Sequence, residues 1–179
     1  SVKKMVNWLK ENMDLVKVFS DFGTGLPMPT FERLGNLPIR NFRDGGFPGV
    51  DKISAETLKS TIGLGMEGCF ACPVRCKKIV EAKQPYEIDR AYGGPEYETL
   101  GALGSACGID DLRAISKGSE LCNAYSLDTI STGMSIAFAM ECFENGLLLP
   151  DDLDGMTLQF GNAEAMLKTI ELIARRQGI

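Results

Sequence analysis

The chain has 179 residues and a mass of 19.5 kDa, a length that suits one domain or a segment of a larger protein. Nineteen basic and twenty-four acidic side chains give a net charge of −5, which argues against a nucleic-acid-binding face. No apolar run or leader predicts a membrane span or a signal peptide, so we expect a cytoplasmic protein. The absence of histidine excludes Ser-His-Asp triads, Cys-His pairs and imidazole proton shuttles.

The beginning of the chain predicts a helix that opens without a cap. Residues 1–22 carry an apolar stripe at helical spacing, and Gly23-Thr24-Gly25 ends it. Because the chain starts inside this pattern, we expect residues 1–179 to form a single helical domain cut from a longer protein. The predicted fold class is mainly α, a multihelical domain with a small β-hairpin.

The middle of the chain predicts loops, one short helix and the hairpin. Four prolines and four glycines between residues 26 and 50 exclude long helices there. Ser54 is placed to cap a short helix that reaches Ile62. Two runs, residues 78–81 and 86–91, show the alternation of paired strands.

The C-terminal half predicts consecutive helices, each with a recognisable start or stop signal. The predicted helices cover residues 96–106, a segment capped by Asp110, a segment from Thr129 or Ser131 to Asn145-Gly146, and a segment from Asn162 to Gly178. The third is apolar on nearly all sides, which predicts a central position.

Three of the six cysteines form a C-x2-C-x3-C motif: Cys69, Cys72 and Cys76. A loop shaped by glycine and proline can direct three thiolates at one small cluster, and closely spaced cysteines are typical of iron–sulfur centres. Zinc is the main alternative, although four-cysteine zinc sites normally use two separated pairs, and three ordinary buried thiols are the other. The remaining cysteines lie in apolar helical contexts, so we expect a fourth ligand from beyond this chain.

Two further segments carry polar groups where helices begin. Residues 92–99 place Glu96 and Glu98 after a Gly-Gly turn and a proline; they either compensate the helix dipole or include a carboxylate for proton transfer. Residues 123–133 hold more hydrogen-bonding side chains than two helix caps need, so they form either a plain helix–helix turn or a ligand-binding turn.

Four segments together resemble one family, the tungsten-containing aldehyde:ferredoxin oxidoreductases. They are LPIRNF at 37–42, GCFACPVRC at 68–76, GPEYETL at 94–100 and LDTISTG at 127–133. The resemblance implies a parent of roughly 600 residues, in which this chain is the first helical domain. An N-terminal β domain that covers the pterin and a third domain would then be absent here.

The resemblance also assigns roles to individual residues. It implies that Cys69, Cys72 and Cys76 are three ligands of a 4Fe–4S cluster whose fourth cysteine lies in the third domain. It implies that Glu98 assists proton transfer beside a tungsten or molybdenum bis-pterin centre. The family's DxxGL(D/C) pterin motif matches residues 123–128 through Asn123, Leu127 and Asp128, but Asn123 replaces an aspartate and Ser126 replaces a glycine.

The implied reaction is oxidation of aldehydes to carboxylic acids, with electrons passing through the cluster to ferredoxin. The implied partners are the aldehyde, ferredoxin and the remaining domains of the parent. We expect the isolated chain to be inactive and to lack both cofactors. The alternative function is a stand-alone cysteine-ligated iron–sulfur or zinc module without catalysis.

Overall fold

The computed structural model describes residues 1–178, which form a mainly helical domain with one two-stranded antiparallel sheet. The α-helices are α1 (Val2–Asn12), α2 (Asp14–Phe22), α3 (Met28–Arg33), α4 (Ala55–Thr61), α5 (Tyr97–Thr99), α6 (Leu112–Ala124), α7 (Thr129–Glu144) and α8 (Ala163–Arg175); the strands are β1 (Gly63–Glu67) and β2 (Lys77–Val80). The predicted fold class is therefore confirmed. None of the helices within residues 1–178 is both long and apolar enough to cross a bilayer.

The core is built where α6, α7 and α8 meet the helical segment that follows α5. This segment continues α5 as a π-helix, Leu100–Gly104, and a short 3-10 helix, Ser105–Cys107, and all eight of its residues are buried. The predicted helix over 96–106 thus forms with a widened middle, a distortion that often marks functional sites.

The contact between α7 and the π-helix depends on a glycine. A Cβ on Gly133 would lie 2.6 Å from the backbone carbon of Ala102, closer than van der Waals contact permits. The absence of a side chain at Gly133 therefore lets the two backbones touch. Helix α7 is not covered on every side, however, because Phe138 is 61% exposed. The almost fully apolar composition of α7 predicts more complete burial than this.

The N-terminal helix is interrupted in the middle. Met13 adopts an extended conformation between α1 and α2, so the predicted helix over residues 1–22 is two helices. The apolar stripe is largely unburied: α1 contributes no buried residue, and α2 buries Val16.

The predicted hairpin is wrong in its pairing. Strand β2 pairs with β1, Glu67 opposite Lys77 and Gly63 opposite Val80, with an irregularity between Gly63 and Gly65. Residues 86–91 contribute one isolated bridge, between Ile88 and Ala82. Consequently, the loop of the hairpin is the cysteine motif itself.

Most helix caps occur at the predicted residues. The side chains of Ser54 and Asn162 accept hydrogen bonds from the first turns of α4 and α8, respectively. Gly146, just after the end of α7, has a left-handed φ of 69°, as is common where a helix ends. The prediction for α6 is wrong by one residue. Asp111 caps this helix by accepting from Arg113 and Ala114, whereas the carboxylate of Asp110 lies 2.6 Å from the ammonium of Lys52.

Candidate functional site

The cysteine loop joins β1 to β2 and turns sharply before two of its cysteines. Cys69 is exposed, and Cys72 and Cys76 are half-buried. Ala71 and Arg75, which directly precede Cys72 and Cys76, have left-handed φ values of 58° and 57°. The backbone N–H of Cys72 donates to the carbonyl of Cys69 at 3.0 Å. Residues 69–76 therefore form neither a strand nor a helix.

The two half-buried thiols have opposite electrostatic environments. Backbone N–H groups of Arg75 and Val74 donate to the sulfur of Cys72 and lower the pKa of this thiol. Burial raises the pKa of the Cys76 thiol, and the nearby carboxylate of Glu96 raises it further. Cys76 therefore lies close to the start of α5, where Glu96 and Glu98 are found.

The three remaining cysteines are not part of this loop. Cys107 and Cys122 are fully buried in the helical core, where burial raises their pKa values to about 12 and about 11. Cys142 is half-buried on α7. Within residues 1–178, no three Cys, Asp or Glu side chains are gathered closely enough to enclose a metal ion.

A buried lysine connects the cysteine loop to the start of α5. Lys78 follows Cys76 by two residues, its side chain is 2% exposed, and its ammonium lies 2.7 Å from a carboxylate oxygen of Glu96. The hydroxyl of Thr24 donates to the same oxygen and accepts the backbone N–H of Tyr97 at 3.0 Å. The sequence indicates no partner for Glu96 beyond the helix dipole, and no local signal in it points to Lys78.

Glu98 lies in the first turn of α5 with an exposed carboxylate. Its neighbour Thr99 is buried and shares a hydrogen bond with Thr129, with 2.9 Å between the two hydroxyl oxygens. Thr129 is the first residue of α7 and directly follows Asp128. The structure therefore brings the segment of Glu98 next to the segment predicted to bind a pterin.

The predicted pterin-binding residues occupy the turn between α6 and α7. Asn123 is exposed, and its amide donates to the carbonyl of Ser119 within α6 at 2.9 Å. Leu127 is half-buried against the core. Asp128 caps α7 by accepting the N–H of Ser131 at 2.7 Å; the hydroxyl and N–H of Ser131 lower the pKa of its carboxyl.

Ser126, which stands where the resemblance expects a glycine, has an unusual backbone conformation. It adopts a left-handed φ of 57°, a conformation that favours glycine. Serine adopts this conformation with strain, whereas glycine, the residue that the resemblance expects at this position, would adopt it without strain. The turn keeps its shape, because the N–H of Leu127 donates to the carbonyl of Cys122 at 2.8 Å.

Comparison with known proteins assigns the chain to a family. Residues 1–179 match the family described as aldehyde ferredoxin oxidoreductase, domains 2 & 3. The chain belongs to this family. It is 33% identical over 178 residues to the tungsten-containing aldehyde ferredoxin oxidoreductase of Pyrococcus furiosus, covering 99% of this chain and 29% of that enzyme. The Thermococcus kodakarensis enzyme of the same name is 32% identical over 179 residues, with the same coverage.

A relative with a different name also aligns with most of the chain. The aliphatic sulfonate oxidoreductase, WOR-like subunit, of Pyrococcus furiosus is 34% identical over 144 residues, which are 79% of this chain and 23% of that subunit. The chain thus spans less than a third of the length of these relatives. The family resemblance stated from four motifs is confirmed along the whole chain.

The described residues of this aldehyde ferredoxin oxidoreductase family member include three thiols of the kind that an iron–sulfur cluster takes as ligands, although these thiols are not gathered around one point. Three cysteines share one loop, and the sulfur of Cys72 accepts backbone N–H groups that stabilise a thiolate, which is the ligand form of cysteine. Cys107 and Cys122 are too deeply buried to join them without unfolding the core. Cys142 is half-buried on α7, outside the cysteine loop.

Proposed function

We propose that the protein containing this chain oxidises aldehydes to carboxylic acids at a tungsten or molybdenum bis-pterin centre and passes the electrons through a 4Fe–4S cluster to ferredoxin. The observation that carries this proposal is the proximity of two candidate centres. Cys76 of the cysteine loop lies beside Glu96, and Glu98 follows on the same helix start. Electron transfer requires such closeness between an oxidation site and a cluster.

The metal–pterin, when bound, supplies the two-electron oxidation with oxygen transfer to the carbonyl carbon. This chain would hold the cluster through Cys69, Cys72 and Cys76, with a fourth cysteine contributed by a further domain. The exposed carboxylate of Glu98 can accept or return a proton at the substrate oxygen, the role that general acid–base groups perform in such steps.

The turn after α6 would bind one pterin. Asn123 and Asp128 offer polar side chains at the protein surface, and Leu127 anchors the turn against the core. Asn123 forms a hydrogen bond as a neutral amide, so it supplies less charge than the aspartate of the family motif. The hydrogen bond between the Thr99 and Thr129 hydroxyls would hold this turn close to the segment that carries Glu98.

The parent protein would contain an N-terminal β domain and a third domain beside this one. Two features support the presence of a surface that other domains of the parent would cover. The side chain of Phe70 in the cysteine loop is fully exposed, and Val2, Met5 and Trp8 on α1 are more than half exposed. Clusters of exposed apolar side chains are typical of surfaces that contact other domains or proteins.

The deciding experiment is cofactor and activity analysis of the full-length protein purified without oxygen. We expect tungsten or molybdenum, four iron and four sulfide per chain, and aldehyde-dependent reduction of ferredoxin or a viologen dye. Cys69→Ser, Cys72→Ser and Cys76→Ser should each lose cluster iron, whereas Cys142→Ser should retain it. Stoichiometric iron without any pterin metal or aldehyde turnover would favour the stand-alone module instead.

The 179-residue chain alone provides a second test. Because it would lack the fourth cluster ligand and the other pterin contacts, we expect no aldehyde oxidation and no stably bound pterin. Measurable turnover by the purified chain would show that one domain suffices and would contradict the fragment interpretation.

A further inference from the structure

The ion pair between Lys78 and Glu96 differs from the other ion pairs within residues 1–178. Its cation is almost completely buried, with 2% of the side chain exposed, while the carboxylate partner is 35% exposed. Removing a lysine ammonium from water is costly, and a buried ion pair often stabilises a fold no better than apolar side chains would. Stability alone therefore does not account for a charge at this position.

The pair is fixed at a junction of three segments. Gly23, after α2, lies so close to the pair that an added Cβ would be 2.5 Å from the Lys78 ammonium and 2.9 Å from the carbonyl oxygen of Cys76. The backbone carbonyl of Lys78 accepts the N–H of Gly94 at 2.9 Å. Lys78 is thus held to the start of α5 by both its backbone and its side chain.

Both charges lie within electrostatic reach of the last cysteine of the loop. One added Cβ on Gly23 would contact both the Lys78 ammonium and the Cys76 carbonyl oxygen, and the Glu96 carboxylate lies 2.7 Å from that ammonium. Because the Lys78 ammonium is shielded from water, its field is screened less than that of a surface charge. A redox centre bound to Cys76 would experience this field.

We propose that Lys78 and Glu96 are positioning residues that set the reduction potential of the cluster held by the cysteine loop. The inference rests on the proposed function. When the cluster takes one electron from the oxidation centre, its charge becomes more negative by one, and no bond forms or breaks in the pair. The ammonium favours the reduced cluster, the carboxylate favours the oxidised cluster, and the electron leaves again to ferredoxin.

The proposal predicts that removing each charge shifts the reduction potential of the cluster in the opposite direction. Lys78→Met removes the positive charge and leaves the carboxylate, so the reduction potential of the cluster should become more negative. Glu96→Gln removes the negative charge, so the potential should become more positive. The double variant should lie between the two single variants, and Lys78→Arg should remain close to the wild type because the charge is kept. A purely structural pair would shift both single variants in the same direction.

The measurement is a redox titration of the full-length anaerobic enzyme, followed by the electron paramagnetic resonance signal of the reduced cluster. Lys77→Met is the matched control: Lys77 is adjacent on β2, but its side chain is 40% exposed and pairs with Glu67. Solvent should screen its charge, so its shift should be smaller than that of Lys78→Met.

Unchanged potentials, or shifts of both single variants in one direction, would overturn the inference. If Lys78→Met assembles no cluster, the other two variants still test the inference. Glu96→Gln should shift the reduction potential to a more positive value, and Lys78→Arg should leave it unchanged. The absence of a reduced-cluster signal in the wild type would instead refute the proposed function, so the two failures are distinguishable.

Discussion

The hydroxyl oxygens of Thr99 and Thr129 lie 2.9 Å apart, and Thr99 is buried. Their hydrogen bond ties the first turn of α5, which carries Glu98, to the first residue of α7, which is capped by Asp128. The segments that carry the proposed proton-transfer group and the proposed pterin-binding turn are therefore joined by a direct hydrogen bond. A change at either helix start is expected to affect the other through this bond.

Glu98→Gln in the full-length enzyme tests the proposed proton transfer. Glutamine keeps the shape of the side chain but cannot exchange a proton, and general acid–base groups contribute about 10²–10⁴-fold to rate. We expect kcat for aldehyde oxidation to fall by at least about a hundredfold on this scale, with cluster iron unchanged. Glu56→Gln is the matched control, because Glu56 is also an exposed first-turn glutamate. Full turnover by Glu98→Gln would remove Glu98 from the mechanism.

Thiol alkylation of the metal-free 179-residue chain tests the placement of the cysteines. The thiolate is the reactive form, and burial raises the pKa of Cys107 to about 12 and that of Cys122 to about 11. At Cys72, by contrast, backbone N–H groups lower the pKa of the thiol. Iodoacetamide at pH 7.5 (about one unit below the usual cysteine pKa) should therefore label Cys72 long before Cys107 and Cys122.

Peptide mass spectrometry over a time course gives the order of modification. Unfolding in guanidinium serves as the control, since all six thiols should then react at similar rates. Equal rates in the native chain would mean that Cys107 and Cys122 are not in the core.

The sequence predicted most helices because their signals are local. Ser54 and Asn162 cap α4 and α8, and each signal needs only the residues of the first turn. The strand β1 carries no such signal: it contains two glycines, and Leu64 is 55% exposed. Its extended conformation follows from pairing with β2 across the cysteine loop, which periodicity within β1 cannot reveal.

The candidate site was predictable to the extent that its motifs are contiguous. The cysteine spacing and the turn with Leu127 and Asp128 can be read directly from the chain. The pair of Lys78 and Glu96 joins residues 18 positions apart, and lysine is a residue type that is almost never fully buried. Nothing local distinguishes Lys78 from the half-exposed Lys77 before the fold is known.

Gly133→Ala tests the close contact between α7 and the π-helix. The new Cβ would lie 2.6 Å from the backbone carbon of Ala102, and backbone cannot move aside as a flexible side chain can. Overpacking of this kind costs about 1–3 kcal/mol of unfolding free energy, even though alanine favours a helix. Gly45→Ala is the control, because its added Cβ meets no atom within 4 Å. Denaturant unfolding of both variants of the 179-residue chain measures the difference, and equal stability would contradict the contact.

Ser126→Gly tests whether the turn between α6 and α7 is strained. Ser126 has a φ of 57°, and a left-handed conformation costs a non-glycine residue about 1–2 kcal/mol. Glycine removes this strain but loses more freedom on folding, by about 0.5–1 kcal/mol. We therefore expect the unfolding free energy to stay equal or to rise by up to about 1.5 kcal/mol. The same substitution in a right-handed helix should have the opposite sign. Ser135 is an exposed residue inside α7, and Ser135→Gly should lower stability by about 0.5 kcal/mol. Thermal and denaturant unfolding of the two variants give both numbers, and a loss at Ser126 as large as that at Ser135 would show that the turn does not require a left-handed residue.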